Sequence, residues 1–238
     1  MRRFLVLQHV DREGPGLIIP IAENKGFRVI IFRLYLGDSL PKLIDGDLLL
    51  VLGGPMGIND IGNQTYPWLA EEVDLIKEAL DKNIGIIGIC LGAQLLSYVA
   101  GGDVEVLLEE TINQPLAEIG WNPIFSNCID NDNKFAKLLC NPIPVLHWHG
   151  DRILLPPNAE LIASSCRCEE QLFKIGAFAY GLQFHIEISN EMVYRWIDED
   201  KEFIYSSLGK KGQSILHKQQ KEYGNKTLKA RLEFLNTL

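Results

Sequence analysis

One segment, residues 88–92 (GICLG), restricts the possible folds of this chain more than any other. An apolar run, Ile84 to Ile89, leads into it and predicts a buried strand, and Ala93 to Ala100 predicts a helix directly after it. A strand, a sharp turn with a nucleophilic side chain and a helix make a nucleophile elbow, here with Cys90 in the place of serine. Glycines are expected on both sides because side chains beside so tight a turn would clash. The segment therefore predicts an α/β unit with Cys90 as its candidate nucleophile.

The N-terminus of the following helix gives Cys90 a second reason to be reactive. Unpaired N–H groups there favour an anion, and the thiolate is the nucleophilic form of cysteine. A free cysteine is also often only a small core residue, and this motif alone leaves both interpretations open. Two further motifs favour the reactive one.

A histidine and a glutamate stand two residues apart in the segment Tyr180 to Glu187 (YGLQFHIE). The segment predicts a short apolar strand, and side chains at i and i+2 of a strand share one face. Glu187 can therefore lie beside His185 and orient its ring, so the pair supplies the base and the orienting carboxylate that a nucleophile needs. Taken alone, the pair would sooner indicate a strand histidine with a solvated glutamate nearby.

The third motif is a glycine-rich turn, Gly53-Gly54-Pro55, directly after the buried strand predicted for Leu48 to Leu52. Backbone N–H groups in such a turn can point at a developing oxyanion. The same three residues also suit an ordinary loop at a strand end.

Together these segments resemble the class I glutamine amidotransferases. The matching strings are GGP at 53–55, GICLGAQ at 88–94 and GLQFHIE at 181–187, in the order and spacing of that family. The strings YPWLAEE at 66–72 and HWHGD at 147–151 resemble its stand-alone, GMP-synthase-like subgroup. The resemblance covers roughly residues 3 to 200, and its three motifs make it specific. One departure is Ile186, where the family usually has proline; its side chain is expected to face away from the site.

The resemblance implies glutamine hydrolysis through a thioester. Cys90 attacks the side-chain amide carbon of glutamine, His185 helps to form the thiolate and protonates the leaving ammonia, and Glu187 holds the imidazole. Backbone N–H groups of Leu91 and Gly54 form the oxyanion hole. Hydrolysis of the glutamyl thioester then releases glutamate.

Three other polar residues have competing interpretations. By the same resemblance Gln94 helps to hold the substrate glutamine, although it could also be only a polar residue in the first helical turn. His147 and His149 are rivals for the base and could suggest a metal pair. No third ligand is evident, and neither has a carboxylate at the spacing of His185 and Glu187. We interpret them as structural or substrate-lining and expect neither a metal nor a cofactor.

Composition restricts the setting of the protein. Its 238 residues suffice for one sizeable α/β domain, and its formal net charge of −8 argues against a nucleic-acid-binding surface. We expect no signal peptide and no membrane span, because no stretch approaches ~20 uninterrupted apolar residues. Five cysteines without framework spacing suit a reducing cytosol, and Cys166 and Cys168 lack a second ligand pair for a metal. We therefore expect a cytoplasmic protein.

Predicted strands and helices alternate in the first part of the chain. The strands are Phe4 to His9, Phe27 to Leu34, Leu48 to Leu52 and Ile84 to Ile89, and the helices include Gly16 to Asn24 and Trp68 to Asp81. This alternation predicts a doubly wound, mostly parallel sheet flanked by helices, of the flavodoxin-like type. Ligands bind such a sheet at the carboxyl ends of its strands, so one cleft can collect the three motifs.

The middle and the end of the chain differ from this pattern. A small region of shorter, more antiparallel strands is predicted at Val104 to Leu108, Ala117 to Phe125, Val145 to His149, Glu160 to Ser164 and Phe173 to Ala179. Helices are predicted for Asn190 to Asp198 and, from an apolar stripe, for Ser214 to Leu235. We find no repeat or linker and predict a single domain over residues 1–238, with a helical extension over about 201–238.

The acceptor of the ammonia is not evident. No P-loop motif occurs, and no residues are left for a nucleotide-binding domain. Either a partner synthetase uses the ammonia, or the chain acts alone as a glutaminase-like enzyme or a γ-glutamyl peptide hydrolase, whose substrates present the same acyl centre. A catalytically silent binding module is a third interpretation, against which the intact Cys, His and Glu argue. The sequence predicts no oligomeric state.

Overall fold

A nine-stranded sheet forms the centre of the computed structural model, which describes residues 1–109, 111–127 and 134–238. The strands are β1 (Arg3–Gln8), β2 (Arg28–Arg33), β3 (Leu48–Val51), β4 (Gly85–Ile89), β5 (Asp103–Val106), β6 (Leu108–Glu109), β7 (Gln114–Pro115), β8 (Glu118–Ser126), β9 (Ile143–His149), β10 (Asp151–Leu154), β11 (Ala159–Ser164), β12 (Leu172–Ile175) and β13 (Ala179–Leu182). The α-helices are α1 (Ile18–Asn24), α2 (Trp68–Asp81), α3 (Leu91–Val99), α4 (Lys134–Leu138), α5 (Asn190–Glu199), α6 (Lys201–Leu208), α7 (Gly212–Tyr223) and α8 (Leu228–Thr237). Short 3-10 helices occupy Leu34–Leu36, Ile58–Asp60 and Gly209–Lys211.

The strand order of the central sheet is β2-β1-β3-β4-β13-β12-β11-β8-β9. Its first five strands are parallel, and their order is that of a flavodoxin-like doubly wound sheet. From β13 to β9 the pairings are antiparallel. Two small antiparallel sheets pair β5 with β10 and β6 with β7. The predicted α/β fold with a small antiparallel region is thus confirmed.

Different helices cover the two faces of the parallel strands. In β1, Phe4 and Val6 belong to a core cluster with residues of α1 and α8, whereas Leu5 and Leu7 belong to a cluster with residues of α2 and α3. The alternation follows from the two-residue period of a strand. Because both faces are buried, the parallel strands read as continuous apolar runs in the sequence.

The C-terminal part is helical, as predicted, but its apolar stripe from Ser214 to Leu235 is divided between α7 and α8 by residues 224–227. With α5 and α6, α7 packs on β8 and β9 around a third cluster that contains Trp121, Trp148 and Trp196. The assignment of residues 1–238 to a single domain stays a prediction. Among the described residues, no helix combines the length and apolarity needed to cross a bilayer.

Two strand predictions are wrong in extent. Phe173 to Ala179 forms a hairpin rather than one strand, because the chain turns at Gly176, whose φ of +59° suits glycine. The strand at Tyr180 to Glu187 ends at Leu182. Its partner β4 stops at the elbow, so beyond that point His185 makes an isolated bridge to Leu146 of β9 instead. Because β1, β3, β4 and β13 are parallel, their carboxyl ends lie at one edge of the sheet, beside a common cleft.

Candidate active site

Cys90 occupies the elbow between β4 and α3, as the sequence predicts. Its φ of +51° and ψ of −105° lie outside the regions that L-residues ordinarily adopt. The Cys90 N–H donates to the carbonyl of Leu182 at 2.7 Å, and the Cys90 carbonyl accepts from the N–H of Gln94 at 3.0 Å. The strained residue is thus fixed between the neighbouring strand and the first turn of the helix, as is common for functional residues.

The glycines on either side of the elbow allow α3 to approach the sheet. A Cβ added to Gly92 would collide with the backbone carbonyl of Val51, and one added to Gly88 would collide with the backbone of Gly92. Neither obstacle is a flexible side chain, so neither can move aside.

We expect Gly92→Ala to lower the free energy of unfolding by about 3 kcal/mol, the upper end of the cost of overpacking. For a chain of this size this corresponds to a fall in Tm of roughly 6–12 °C, measured by thermal unfolding. Gly57→Ala is the matched control, because a Cβ at Gly57 meets no atom within 4 Å and its φ is −129°. Equal Tm values for the two variants would contradict the close approach.

His185 and Glu187 lie together although they are beyond the end of β13. The Nδ1 atom of His185 is 2.8 Å from Oε1 of Glu187, and both side chains are buried. The ring of His185 also packs edge-on against the ring of Trp196, with 4.7 Å between the centroids. Gln183, in the same segment, directs its Nε2 to Sγ of Cys90 at 3.5 Å. The three predicted residues of the triad are therefore brought to one place.

Opposing effects act on the pKa of His185. Burial alone lowers it, but the charge of Glu187, together with hydrogen bonds to Cys90 and Glu187, raises it well above 6.5. The imidazolium form therefore persists to a higher pH than in an exposed histidine. A positively charged ring beside Sγ is the partner that a thiolate needs.

Backbone contacts fix the segment that carries Glu187. The carbonyl of Glu187 accepts from the N–H of Leu17 at 2.7 Å. The buried guanidinium of Arg231 in α8 donates to the carbonyl of Ile188 at 2.6 Å and reaches that of Ile186 at 3.5 Å. Burial lowers the pKa of Arg231 to about 10, although the charge of Glu187 acts to raise it. The side chain of Ile186 is fully buried in the core, in agreement with its expected direction away from the site.

The glycine-rich turn after β3 lies directly beside Cys90 and His185. A Cβ added to Gly53 would lie 3.5 Å from Cβ of Cys90 and 3.2 Å from Cε1 of His185. The fully buried ring of His9 supports the turn, since its Nδ1 is 3.0 Å from the carbonyl of Gly53 and its Nε2 is 2.8 Å from Glu72 of α2. The turn is therefore anchored from behind by a histidine–carboxylate pair.

A cavity of about 330 Å³ opens in front of Cys90 and His185, and segments that follow β1, β3 and β4 meet there with the end of β9. Gly54, Cys90, Gln94 and His185 are among the residues that line it. Leu91 is buried beneath them; as the first residue of α3, it has no partner for its N–H within the helix. Gln94 is buried, and its Nε2 is 3.4 Å from Oε1 of Gln183.

Sequence reasoning missed several residues of the cavity wall. The main omission is Glu13, a nearly buried carboxylate whose Oε2 would lie 2.5 Å from a Cβ on Gly53. Burial raises its pKa, although the charges of His185 and Arg12 act to lower it. Arg12 pairs with Asp200 at 3.1 Å, and Asp200 also accepts from Nε1 of Trp148 at 2.8 Å. The one signal in the sequence that Glu13 belongs to the cavity wall is its position shortly after β1, because ligands bind at the carboxyl ends of such strands.

The two rival histidines have a carboxylate partner that the sequence did not suggest. Oε2 of Glu118 in β8 is 3.4 Å from Nδ1 of His147 and 3.3 Å from Nε2 of His149. A third candidate ligand, which was not evident from the sequence, thus lies beside the two histidines. Glu118 lies about 30 positions earlier in the chain, and only the antiparallel pairing of β8 with β9 places it there. Of the two histidines, His149 lines the cavity.

Comparison with known proteins agrees with the fold. The profile of the family "Glutamine amidotransferase class-I" matches residues 18–193. The crystal structure of a glutamine amidotransferase from Thermotoga maritima superposes with a TM-score of 0.80, at 31% identity over 98% of this chain and 97% of that chain.

Three curated relatives illustrate the range of similar proteins. The glutamine amidotransferase-like protein YfeJ of Salmonella typhimurium is 31% identical over 85% of this chain and 83% of its own length. A glutamine-hydrolysing GMP synthase subunit of Methanosphaera stadtmanae is 31% identical over 59% and 66%. Gamma-glutamyl peptidase 4 of Arabidopsis thaliana is 28% identical over 57% and 53%. The chain therefore belongs to the class I glutamine amidotransferase family.

Proposed function

We propose that the protein hydrolyses the γ-amide bond of glutamine, or of a γ-glutamyl compound, through a thioester on Cys90. The observation that carries this proposal is the strained Cys90 at a helix N-terminus, next to a histidine whose other side is held by Glu187 at 2.8 Å. A nucleophile, a base and an orienting carboxylate are the groups that acyl transfer requires.

The proposed reaction has two steps. The thiolate of Cys90 attacks the amide carbon, and the C–N bond breaks as the imidazolium of His185 gives its proton to the leaving amine. Water, deprotonated by His185, then attacks the thioester carbon, and the C–S bond breaks to release glutamate. The tetrahedral oxyanion in each step accepts hydrogen bonds from the N–H groups of Leu91 and Gly54. Gln94, on the cavity wall, contacts the substrate glutamine.

The relatives support two fates for the amine that is released. The Methanosphaera relative is named as one subunit of a glutamine-hydrolysing GMP synthase, which supports a separate synthetase partner that would use the ammonia. A γ-glutamyl peptidase among the relatives supports hydrolysis by the chain alone. The cavity favours neither exclusively, since its wall continues past the triad to Trp148, Asp200 and Phe203 and leaves room beyond a γ-amide.

Purified protein is expected to release glutamate from glutamine, or from a γ-glutamyl dipeptide, without ATP. Glutamate is measured by coupled assay or by chromatography, with each substrate assayed at equal concentration. A slow rate with glutamine agrees with the proposal, because amidotransferase domains can await a partner that completes the oxyanion hole. ATP-dependent amination of a nucleotide by the isolated chain would contradict it, and so would complete inactivity toward both substrates, which would favour a silent binding module.

A further inference from the structure

The cluster of Glu118, His147 and His149 takes no part in the proposed reaction and is buried, with His149 at the cavity wall. All three side chains are at most 4% exposed. In the pairing of β8 with β9, Glu118 lies opposite His149 and Gly120 lies opposite His147. Positions 147 and 149 share a face because of the two-residue period, and Glu118 stands on the same face of the adjacent strand. One nitrogen from each ring and one carboxylate oxygen meet within 4.8 Å of one another.

Hydrogen bonds on the far side of each ring fix which nitrogen faces the cluster. Nε2 of His147 is 3.2 Å from the carbonyl of Asn122, and Nδ1 of His149 is 2.8 Å from the carbonyl of Asp151. A carbonyl can only accept, so these two nitrogens carry the protons. In the neutral form of each ring, the opposite nitrogen presents a lone pair toward Glu118.

Imidazole nitrogens and a carboxylate oxygen that converge in this way form a set of ligands suited to a metal cation. Two of the buried polar atoms without a hydrogen-bond partner, Nδ1 of His147 and Oε1 of Gln171, belong to this cluster. Nε2 of Gln171 is 2.9 Å from Oε2 of Glu118 and 3.4 Å from Nε2 of His149. Turning this amide over would bring its unpartnered oxygen to the same place. The hydroxyl of Ser165 donates to Oε2 of Glu118 at 2.9 Å.

We propose that Glu118, His147 and His149 bind a divalent transition-metal ion such as Zn²⁺, with Oε1 of Gln171 as the fourth ligand after its amide turns over. The separations of 3.3 and 3.4 Å between Glu118 and the two nitrogens match adjacent ligands of a tetrahedron with metal–ligand bonds of about 2.0–2.1 Å. The carbonyls of Asn122 and Asp151 and the hydroxyl of Ser165 act as the outer partners that orient metal ligands. Neutral imidazole and carboxylate are ordinary ligands of zinc.

The ion would have a structural role. It joins β8 to β9 and, through Gln171, to the start of β12, and it fixes His149, which lines the cavity. It supplies no step of the proposed hydrolysis, because Cys90, His185 and Glu187 make that reaction without it. A negative result for the metal site would therefore leave the proposed function unaffected, and the reverse also holds.

The test is made in the Cys90→Ala background, because a thiolate next to His185 could bind Zn²⁺ by itself. Protein treated with a chelator is titrated with Zn²⁺ by calorimetry, and Co²⁺ is added in parallel to record its visible absorption. We expect one equivalent of Zn²⁺ to bind, a rise in Tm on loading, and the intense Co²⁺ bands of a tetrahedral nitrogen and oxygen site.

Three variants distinguish this cluster from adventitious binding. Glu118→Gln retains the shape of the side chain but is expected to weaken binding more than 100-fold. Ser165→Ala, which removes an outer partner, is expected to weaken it by about 10–100-fold. His217→Gln on α7 is the control, since His217 lies outside the cluster and stacks on Tyr194. It should bind Zn²⁺ as the parent does.

Loss of Zn²⁺ binding is distinguished from loss of folding by a separate measurement. Each variant is checked by circular dichroism, and a folded Glu118→Gln protein that binds Zn²⁺ as tightly as its parent would overturn the proposal. The proposal would also be overturned if the Cys90→Ala parent bound no Zn²⁺. It would equally be overturned if Zn²⁺ did not raise the Tm of that protein and Co²⁺ gave no tetrahedral bands.

Discussion

Replacement of Cys90 by alanine is expected to lower the rate of glutamate release by at least about 10⁴-fold, the scale of losing the nucleophile of a triad. The effect should fall on kcat rather than on the stability of the protein, because the thiol is small and the backbone contacts of the elbow remain. Circular dichroism and Tm serve as controls for folding. Glutamate release that persists unchanged in Cys90→Ala would refute the thioester route.

Labelling provides an independent check on the same residue. A diazo-ketone analogue of glutamine should modify Cys90, although Cys140 and Cys166 are more exposed. Cys168 is a poor competitor, because burial and the nearby charge of Glu170 raise the pKa of its thiol to about 12. Cys128 lies outside the described residues and is scored by peptide mapping alone. A label found mainly on any of these four cysteines would contradict the assignment.

Replacement of His185 by alanine is expected to cost ~10²–10⁴-fold or more in rate while the protein stays folded. His149→Ala is the informative comparison, because His149 lines the same cavity but its ring is held by Glu118 and a backbone carbonyl. Its effect should fall on KM or Tm rather than on kcat. If the His149 variant were inactive and the His185 variant active, the general base would be His149 rather than His185.

The contact between His185 and Glu187 also has a consequence for the pH dependence of the rate. The charge of Glu187 and its hydrogen bond raise the pKa of His185, so their loss in Glu187→Gln must lower that pKa. The imidazolium then deprotonates at a lower pH, and the alkaline limb of the kcat/KM profile should move to lower pH. A limb that stays in place, or moves to higher pH, would mean that Glu187 does not set the charge state of the histidine.

Local pattern was sufficient to predict the parallel half of the sheet and the elbow. The apolar runs of β1, β3 and β4 are buried on both faces, and α2 spans Trp68–Asp81 as its stripe predicts. The position of Cys90 needed only its neighbours in sequence, because a strand, two glycines and a helix are all local features. The sites that the sequence predicted at strand ends therefore lie together in the structure.

Contacts between distant segments could not be predicted in the same way. The contact of His185 with Glu187 was expected from strand geometry, but the chain has left the strand by this point. A backbone bridge to Leu146 holds the segment instead, and the ring of His185 packs on Trp196. Glu118 reaches His147 and His149 only through the register of two antiparallel strands. A pattern along one segment contains no information about which other segment will lie beside it.

The contact of Arg231 with the segment around Glu187 has a consequence for the order of events during synthesis. A ribosome completes Cys90, His185 and Glu187 well before it adds the last helix, and N-terminal parts of a chain can begin to fold first. Until α8 is made, the carbonyls of Ile186 and Ile188 lack the guanidinium that holds them. The nascent chain therefore carries all the reactive groups without the support for their geometry. Hydrolytic activity should begin only after Arg231 has left the ribosome and docked.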